Sequence, residues 1–431
     1  MSILIKNGHV IDPATKTDGI MDILIEEDRI AEMAKEIREE ADKVLDAKGC
    51  YVMPGFIDLH VHLRDPGLEY KETVETGARA AARGGFTTIL AMPNTKPVVD
   101  NGDVVRYVHN KAKTIGITNV LQIGAITRGQ HGEQLADIDS MVDAGIPAVS
   151  EDGKSVMNAQ LYREAMTLAV KYDIPVLAHC EDRNLAGSGV MNQDEKADEL
   201  QLPGITNSVE DVIVARDILL AKETGARLHL CHCSTKDSVA MVAAAKAEGL
   251  PVSAEVCPHH FILTSGDIPG DDANYKMNPP LRSEEDRQAL IQGLKDGTID
   301  VIATDHAPHS REEKCLPMKK APFGIVGLET AAALTYTELV EPGILTVTEM
   351  AEKMSCNPAR VAGLDGGSLA VGRRADLVIF DPQKEYVIDA AEFASKGRST
   401  PFHGRKVRGQ VAATVYEGRL VYQRSAHSEN R

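Results

Sequence analysis

Phe56-Ile57-Asp58-Leu59-His60-Val61-His62 is the stretch on which the fold turns. Its apolar and polar residues alternate, as in a strand. Alternation sets Asp58, His60 and His62 on one face and Ile57, Leu59 and Val61 on the other. Further along, apolar strand-like runs recur at 87–91, 119–126, 148–152, 175–180, 227–233, 251–257 and 300–305, each followed by a window of helical period. One window, 208–223, opens on Ser and Asp cap signals. Eight β/α units in about 300 residues is the arithmetic of an α/β (β/α)8 TIM barrel. A doubly wound sheet is the alternative, and the lack of a dinucleotide glycine fingerprint weighs against it.

On either side the pattern changes. Short strand-like runs at 3–5, 23–25 and 43–45 precede turn signals, and 375–380, 411–416 and 419–422 read the same way. Neither flank is large enough to build a core alone. The expected organisation is residues 1–53 and 366–424 paired in one small β-sandwich domain around a barrel at 54–365. The polar residues 425–431 read as a disordered tail.

Composition narrows the function. With 47 Lys+Arg against 64 Asp+Glu, the net charge of −17 offers no basic field for nucleic acid or an anionic membrane. No apolar run is long enough to span a bilayer, and the start lacks a signal peptide's basic region. Seven cysteines without a framework fit a reducing, cytoplasmic setting. Trp is absent, so Ala, Val, Ile and Leu must fill the core.

A barrel carries its chemistry at the C-terminal ends of its strands. His60 and His62 end the first strand, Asp152 the fourth, His179 the fifth, His232 the sixth and Asp305 the eighth. A lone strand histidine is ordinarily a core residue, and His109, His229 and His403 take that reading. Four histidines with two carboxylates at five different strand ends, in order, do not. They suit Zn²⁺ or a similar borderline ion, and six ligands suit two ions with one carboxylate shared. Two such ions hold a hydroxide for attack on a carbonyl, with Asp305 moving its proton to the leaving nitrogen. Cys180, Cys231, Cys233 and Cys257 adjoin these positions, but alternation turns most of them outward, as small buried residues. Arg64, Asn94, Asn278 and His309 project from the same rim. A guanidinium fork with neutral donors suits a carboxylate beside a hydrolysable amide. The charged, aperiodic residues 310–322 read as a solvated loop or as a mobile lid.

These motifs resemble the amidohydrolase superfamily, and specifically the dihydroorotases of the longer bacterial class (class I). The resemblance rests on the segments 55–67, 85–95, 303–309 and 367–378, Met92-Pro93-Asn94-Thr95 and Asp305-His306-Ala307-Pro308-His309 being the narrower signals. It implies reversible cyclisation of N-carbamoyl-L-aspartate to L-dihydroorotate in pyrimidine biosynthesis, with zinc. It also implies His60, His62, Asp152, His179, His232 and Asp305 as metal positions and Asp305 as catalytic acid/base. Arg64, Asn94, Asn278, His309 and the Phe323-Gly324 backbone would hold substrate. Many relatives bridge their ions with a carbamylated lysine. Here Asp152 takes that place, with Glu151 and Lys154 as fallbacks. Another cyclic amidohydrolase, such as an allantoinase or dihydropyrimidinase, is a second reading, against which Arg64, Asn94 and His309 count. A non-catalytic scaffold for aspartate transcarbamoylase is a third, against which the full ligand set counts. The expected partners are a small-molecule substrate and a second copy in a homodimer, with association to aspartate transcarbamoylase left open.

Overall fold

The structure, a computed structural model, describes residues 2–425. From residue 426 on, the tail expected to be disordered lies outside the described residues. The chain opens with β1 (Ser2–Asp12), β2 (Thr17–Glu26), β3 (Arg29–Ala34), β4 (Lys43–Asp46) and β5 (Tyr51–Pro54). The barrel region holds β6 (Phe56–Val61), β7 (Phe86–Ala91), β8 (Asn119–Gln122), β9 (Gly124–Ala125), β10 (Val149–Ser150) and β11 (Val176–Ala178). A side excursion forms the two-stranded pair β12 (Met191–Asn192) and β13 (Gly204–Ile205). The barrel resumes with β14 (Leu228–Leu230), β15 (Val252–Val256) and β16 (Val301–Ile302). The chain ends in β17 (Leu377–Val387), β18 (Lys406–Tyr416) and β19 (Arg419–Gln423).

Parallel pairing runs β6-β7-β8 and β9-β10-β11-β14-β15-β16. β8 and β9 are two parts of one run interrupted at Ile123, whose N–H donates to the Ala91 carbonyl. A parallel bridge between Val61 and His306 closes the ring. This is the expected eight-stranded barrel.

The two chain ends share one sheet. Its order is β19-β18-β17-β5-β1-β2-β3, with β4 also on β1, and the antiparallel β5–β17 register sets Pro54 against Leu377 and Val52 against Ile379. Ile3, Ile5, Ile23 and Ile25 from the front share a core with Leu369, Leu377 and Val415 from the rear.

Two details of the barrel differ from the alternation reading. Ile57, Leu59, Leu90, Leu177, Cys231 and Val301 pack together inside the barrel, closed below by Ala359 and Ala362 of the helix Asn357–Ala362. Leu228 and Leu230 face outward, in the core shared with the helices. The first strand therefore does not alternate simply: its register with β7 shifts between Asp58 and Val61. β14 ends at Leu230, and His232 turns inward through a left-handed backbone at φ 33°. Cys231 consequently points into the barrel. Cys180 and Cys233 face the helices as expected. In the helix Ser208–Thr224 the cap position falls on Asn207, one residue earlier than expected, and its side chain makes no capping hydrogen bond.

Candidate active site

Asp152, His179, His232 and Asp305 lie one to three residues past the ends of β10, β11, β14 and β16, and His60 and His62 close β6. All six are buried and converge at one end of the barrel. His60 Nε2 lies 3.2 Å from Asp152 and 3.6 Å from Asp305; His62 Nε2 lies 3.1 Å from Asp305 and 3.5 Å from Asp152. His179 Nδ1 is 3.6 Å from Asp152 and 3.0 Å from His232 Nε2. Asp152 is thus the carboxylate that reaches every histidine of the set, His232 at 3.9 Å.

The donor set fits a cation. His60 Nε2, the ring nitrogen facing Asp152 and Asp305, is buried without a hydrogen-bond partner. His60, His62 and Asp305 present ligand atoms within 4.8 Å of one another, as do His60, Asp152 and His232. Three of the histidines engage an acceptor with the far ring nitrogen: His60 Nδ1 with Glu255 (3.1 Å), His62 Nδ1 with the Asn94 carbonyl (2.9 Å) and His179 Nε2 with Glu181 (2.9 Å). This is how ligating imidazoles are oriented, with the near nitrogen left for the ion.

Electrostatics reinforce the arrangement. Burial opposes the charge on Asp152 and Asp305. The neighbouring histidines outweigh it and hold both carboxyls below the usual range. Burial likewise opposes the charge on His60, and Asp152 overcomes it, raising the imidazole. Burial and Arg64 push His62 down. Arg64, His232 and Asp305 all hold left-handed backbone, at φ 59°, 33° and 47°. Such conformations cost about 1–3 kcal/mol each and persist where the surroundings dictate them.

A cavity of about 190 Å³ opens onto this cluster. Eleven of the twelve residues expected at the site line it, from His62 and Arg64 to Phe323 and Gly324; His60 lies beneath, its ring packed on His62 and His232. Gly153 and Ala307 complete the lining. Arg64 is buried, donates from Nε to the Pro308 carbonyl and has no ion-pair partner among the described residues. His309 donates from Nε2 to the Phe323 carbonyl and accepts from Lys71 at Nδ1, so it is neutral. Burial, with Arg64 and Lys71, pushes its pKa to about 2. Gly324 sits at φ 131°, where an added Cβ would meet the Ala307 carbonyl at 2.6 Å.

Asn94 and Asn278 are both engaged with the ligand set. Asn94 also donates to Asp152 (3.1 Å), and Asn278 donates to Glu181 (2.8 Å). The two fallback groups are turned away: Glu151 accepts from the Thr127 hydroxyl and backbone, and Lys154 donates to the Gln130 carbonyl. Residues 310–322 are anchored. The short helix Arg311–Lys314 is capped by Ser310, and Lys314 Nζ donates to the carbonyls of Lys276, Pro322 and Gly324.

Sequence reasoning missed Glu255 and Glu181. Glu255 is fully buried on β15 between His60 and His229. The signal was a charged residue inside Val252–Val256, a strand otherwise without charge. Cys231, expected to face outward, instead presents its thiol beside His60 and Glu255.

A family profile described as dihydro-orotase-like matches residues 49–238, and an amidohydrolase family profile matches 318–422. A dihydroorotase of Pelotomaculum thermopropionicum is 51% identical over 98% of this chain and 99% of its own length. One from Acetivibrio thermocellus is 48% identical over 97% and 98%. Among solved structures, the L-hydantoinase (dihydropyrimidinase) of Arthrobacter aurescens superposes with a TM-score of 0.86 at 28% identity, covering 98% of this chain and 96% of that one. The D-hydantoinase (dihydropyrimidinase) of a Thermus species gives 0.83 at 28%, covering 97% and 94%.

Proposed function

Because the chain belongs to the dihydroorotase family of the amidohydrolases, we propose that this cavity performs the reversible cyclisation of N-carbamoyl-L-aspartate to L-dihydroorotate, a step of pyrimidine biosynthesis. The observation that carries the substrate is Arg64. A buried guanidinium with no carboxylate partner calls for an anion, and dihydroorotate brings a carboxylate on its ring. A neutral cyclic amide would leave that charge unpaired.

His60, His62 and Asp305 would hold one metal ion, and His179 and His232 another, with Asp152 in reach of both sets. Zinc suits a set of imidazoles and carboxylates. When bound, such ions polarise the amide carbonyl and lower the pKa of the attacking water. The chain's own residues do the rest. Asp305, held ionised by its histidine neighbours, takes a proton from the water as the oxygen bonds to the acyl carbon. The ring C–N bond breaks, and Asp305 returns the proton to the leaving nitrogen. Cyclisation is the reverse. Arg64 pairs with the carboxylate, while the backbone of Phe323 and Gly324 bounds the ring. Asn94 and Asn278 are given a second duty here, as orienters of His62, Asp152 and Glu181.

The setting follows from the same reading. No helix among the described residues is long and apolar enough to cross a membrane, and all seven cysteines are free, which supports a reducing cytoplasm. A homodimer is the commonest assembly for such a chain. Association with aspartate transcarbamoylase rests on the family resemblance alone.

The test is direct. Purified protein should consume dihydroorotate ring absorbance, and a chelator should stop it. Carbamoyl aspartate carries two carboxylates and dihydroorotate one, so closure takes up a proton. The equilibrium should move toward the open form about tenfold per pH unit. A ratio that stays flat between about pH 6 and 8 contradicts the assigned reaction.

A further inference from the structure

β15 hands on to the helix Pro258–Ile262 through Cys257. Cys257, His259 and His260 are buried, at 0%, 2% and 3% exposure. One ligand atom from each lies within 4.8 Å of the other two. Four such groups occur among the described residues. Three contain His60, and this one shares no residue with them.

The hydrogen bonding of the two imidazoles is incomplete in a particular way. His260 Nε2 lies 2.9 Å from the Pro279 carbonyl oxygen. A carbonyl only accepts, so Nε2 carries the hydrogen and Nδ1 is a bare lone pair. That Nδ1 is buried with no partner, and so is Nε2 of His259. Buried polar atoms in folded proteins are nearly always paired. An imidazole whose far N–H is held by a backbone carbonyl, with its near nitrogen bare, is oriented as a metal ligand is. The rings stand with centroids 4.2 Å apart, and the Cys257 sulfur supplies a soft third donor. Burial keeps both imidazoles neutral, the form that ligates, with His259 pushed down to about 4.

We propose that Cys257, His259 and His260 form a structural site for a zinc-class metal ion, separate from the catalytic ligands. On binding, the Cys257 S–H bond breaks, its proton goes to solvent and the sulfur bonds to the ion. The imidazoles ligate unchanged, so one proton leaves per ion bound. The ion would staple the end of β15 to the first turn of the following helix.

Cobalt reports the site apart from the catalytic centre, because thiolate-to-cobalt charge transfer absorbs in the near ultraviolet and imidazole and carboxylate ligands do not produce it. The full-length protein is stripped with a chelator and titrated with Co²⁺. The wild type should develop the band. Cys231→Ser, which removes the thiol beside His60, should keep it, and Cys257→Ser should lose it. Zinc retained after gel filtration should fall by one ion per chain in Cys257→Ser and in His260→Asn. Wild-type protein that takes up cobalt without a thiolate band overturns the site, whether or not the variants fold. A band that survives in Cys257→Ser, or disappears in Cys231→Ser, overturns it equally.

Discussion

In the proposed reaction, Arg64 and Asp305 divide the labour at the residue scale, one holding charge and the other moving a proton. Replacing Arg64 by Met strands the substrate carboxylate in a buried pocket, and losing one partner of such a pair costs about 2–5 kcal/mol. KM for dihydroorotate should rise by about 30-fold to 5,000-fold, with bound metal unchanged. Dihydrouracil, the same ring without the carboxylate, should suffer far less. Steady-state kinetics on both rings, with metal analysis, checks this; equal losses would reduce Arg64 to a group that shapes the pocket. Asp305→Asn should keep much of its metal yet lose turnover by about 10²–10⁴-fold, since an amide cannot take the proton. Asp152 reaches all four histidines, so Asp152→Ala should deplete metal throughout the set. Full metal content in that variant would sink its bridging role. Lys154→Ala is the control: with its ammonium on the Gln130 carbonyl, it should cost no metal, and bicarbonate should not stimulate the wild type.

At the scale of elements, the segment after His309 is held by two lysines. Burial, and Lys276 nearby, push Lys314 down to about 7, and burial pushes Lys276 down to about 8. The unfolded chain keeps the Lys314 proton up to its ordinary value of 10.5. Between these values the unfolded state holds more protons, so folding gains stability as pH rises. Measured against Lys314→Met, the wild type should gain up to about 1.4 kcal/mol per pH unit above pH 7, and the two should run parallel below it. Denaturant titrations across that range decide it, and a constant difference up to pH 10 would place the folded pKa near normal. These anchors were illegible in the sequence because Lys276 reaches 45 residues ahead, to Ala321. The barrel strands were legible, because apolar runs and helical windows alternate eight times. The direction of Cys231 was not, because alternation presumes an unbroken strand and β14 stops at Leu230. The four histidines proposed as metal ligands stood out as a set spread over several strand ends. Glu255, a single carboxylate within one strand, offered only its own charge as a signal and no spacing to read.

For the molecule as a whole, the small sheet matters most, since its core draws on both ends of the chain. A chain stopped after Gly366 would lack β17, β18 and β19 and strip β5 of its antiparallel partner. Its first 53 residues should become protease-sensitive, as limited proteolysis would report; a resistant front segment would mean that β1–β5 stand alone. The pairing of Pro54 with Leu377 also sets a timetable for biosynthesis. About 320 residues separate the two, and at roughly 5–20 residues per second the ribosome needs some 15–60 s to cover that distance. Throughout that interval the nascent front strands carry an open edge, and the half-built sheet depends on whatever shields it until the last strands emerge from the exit tunnel.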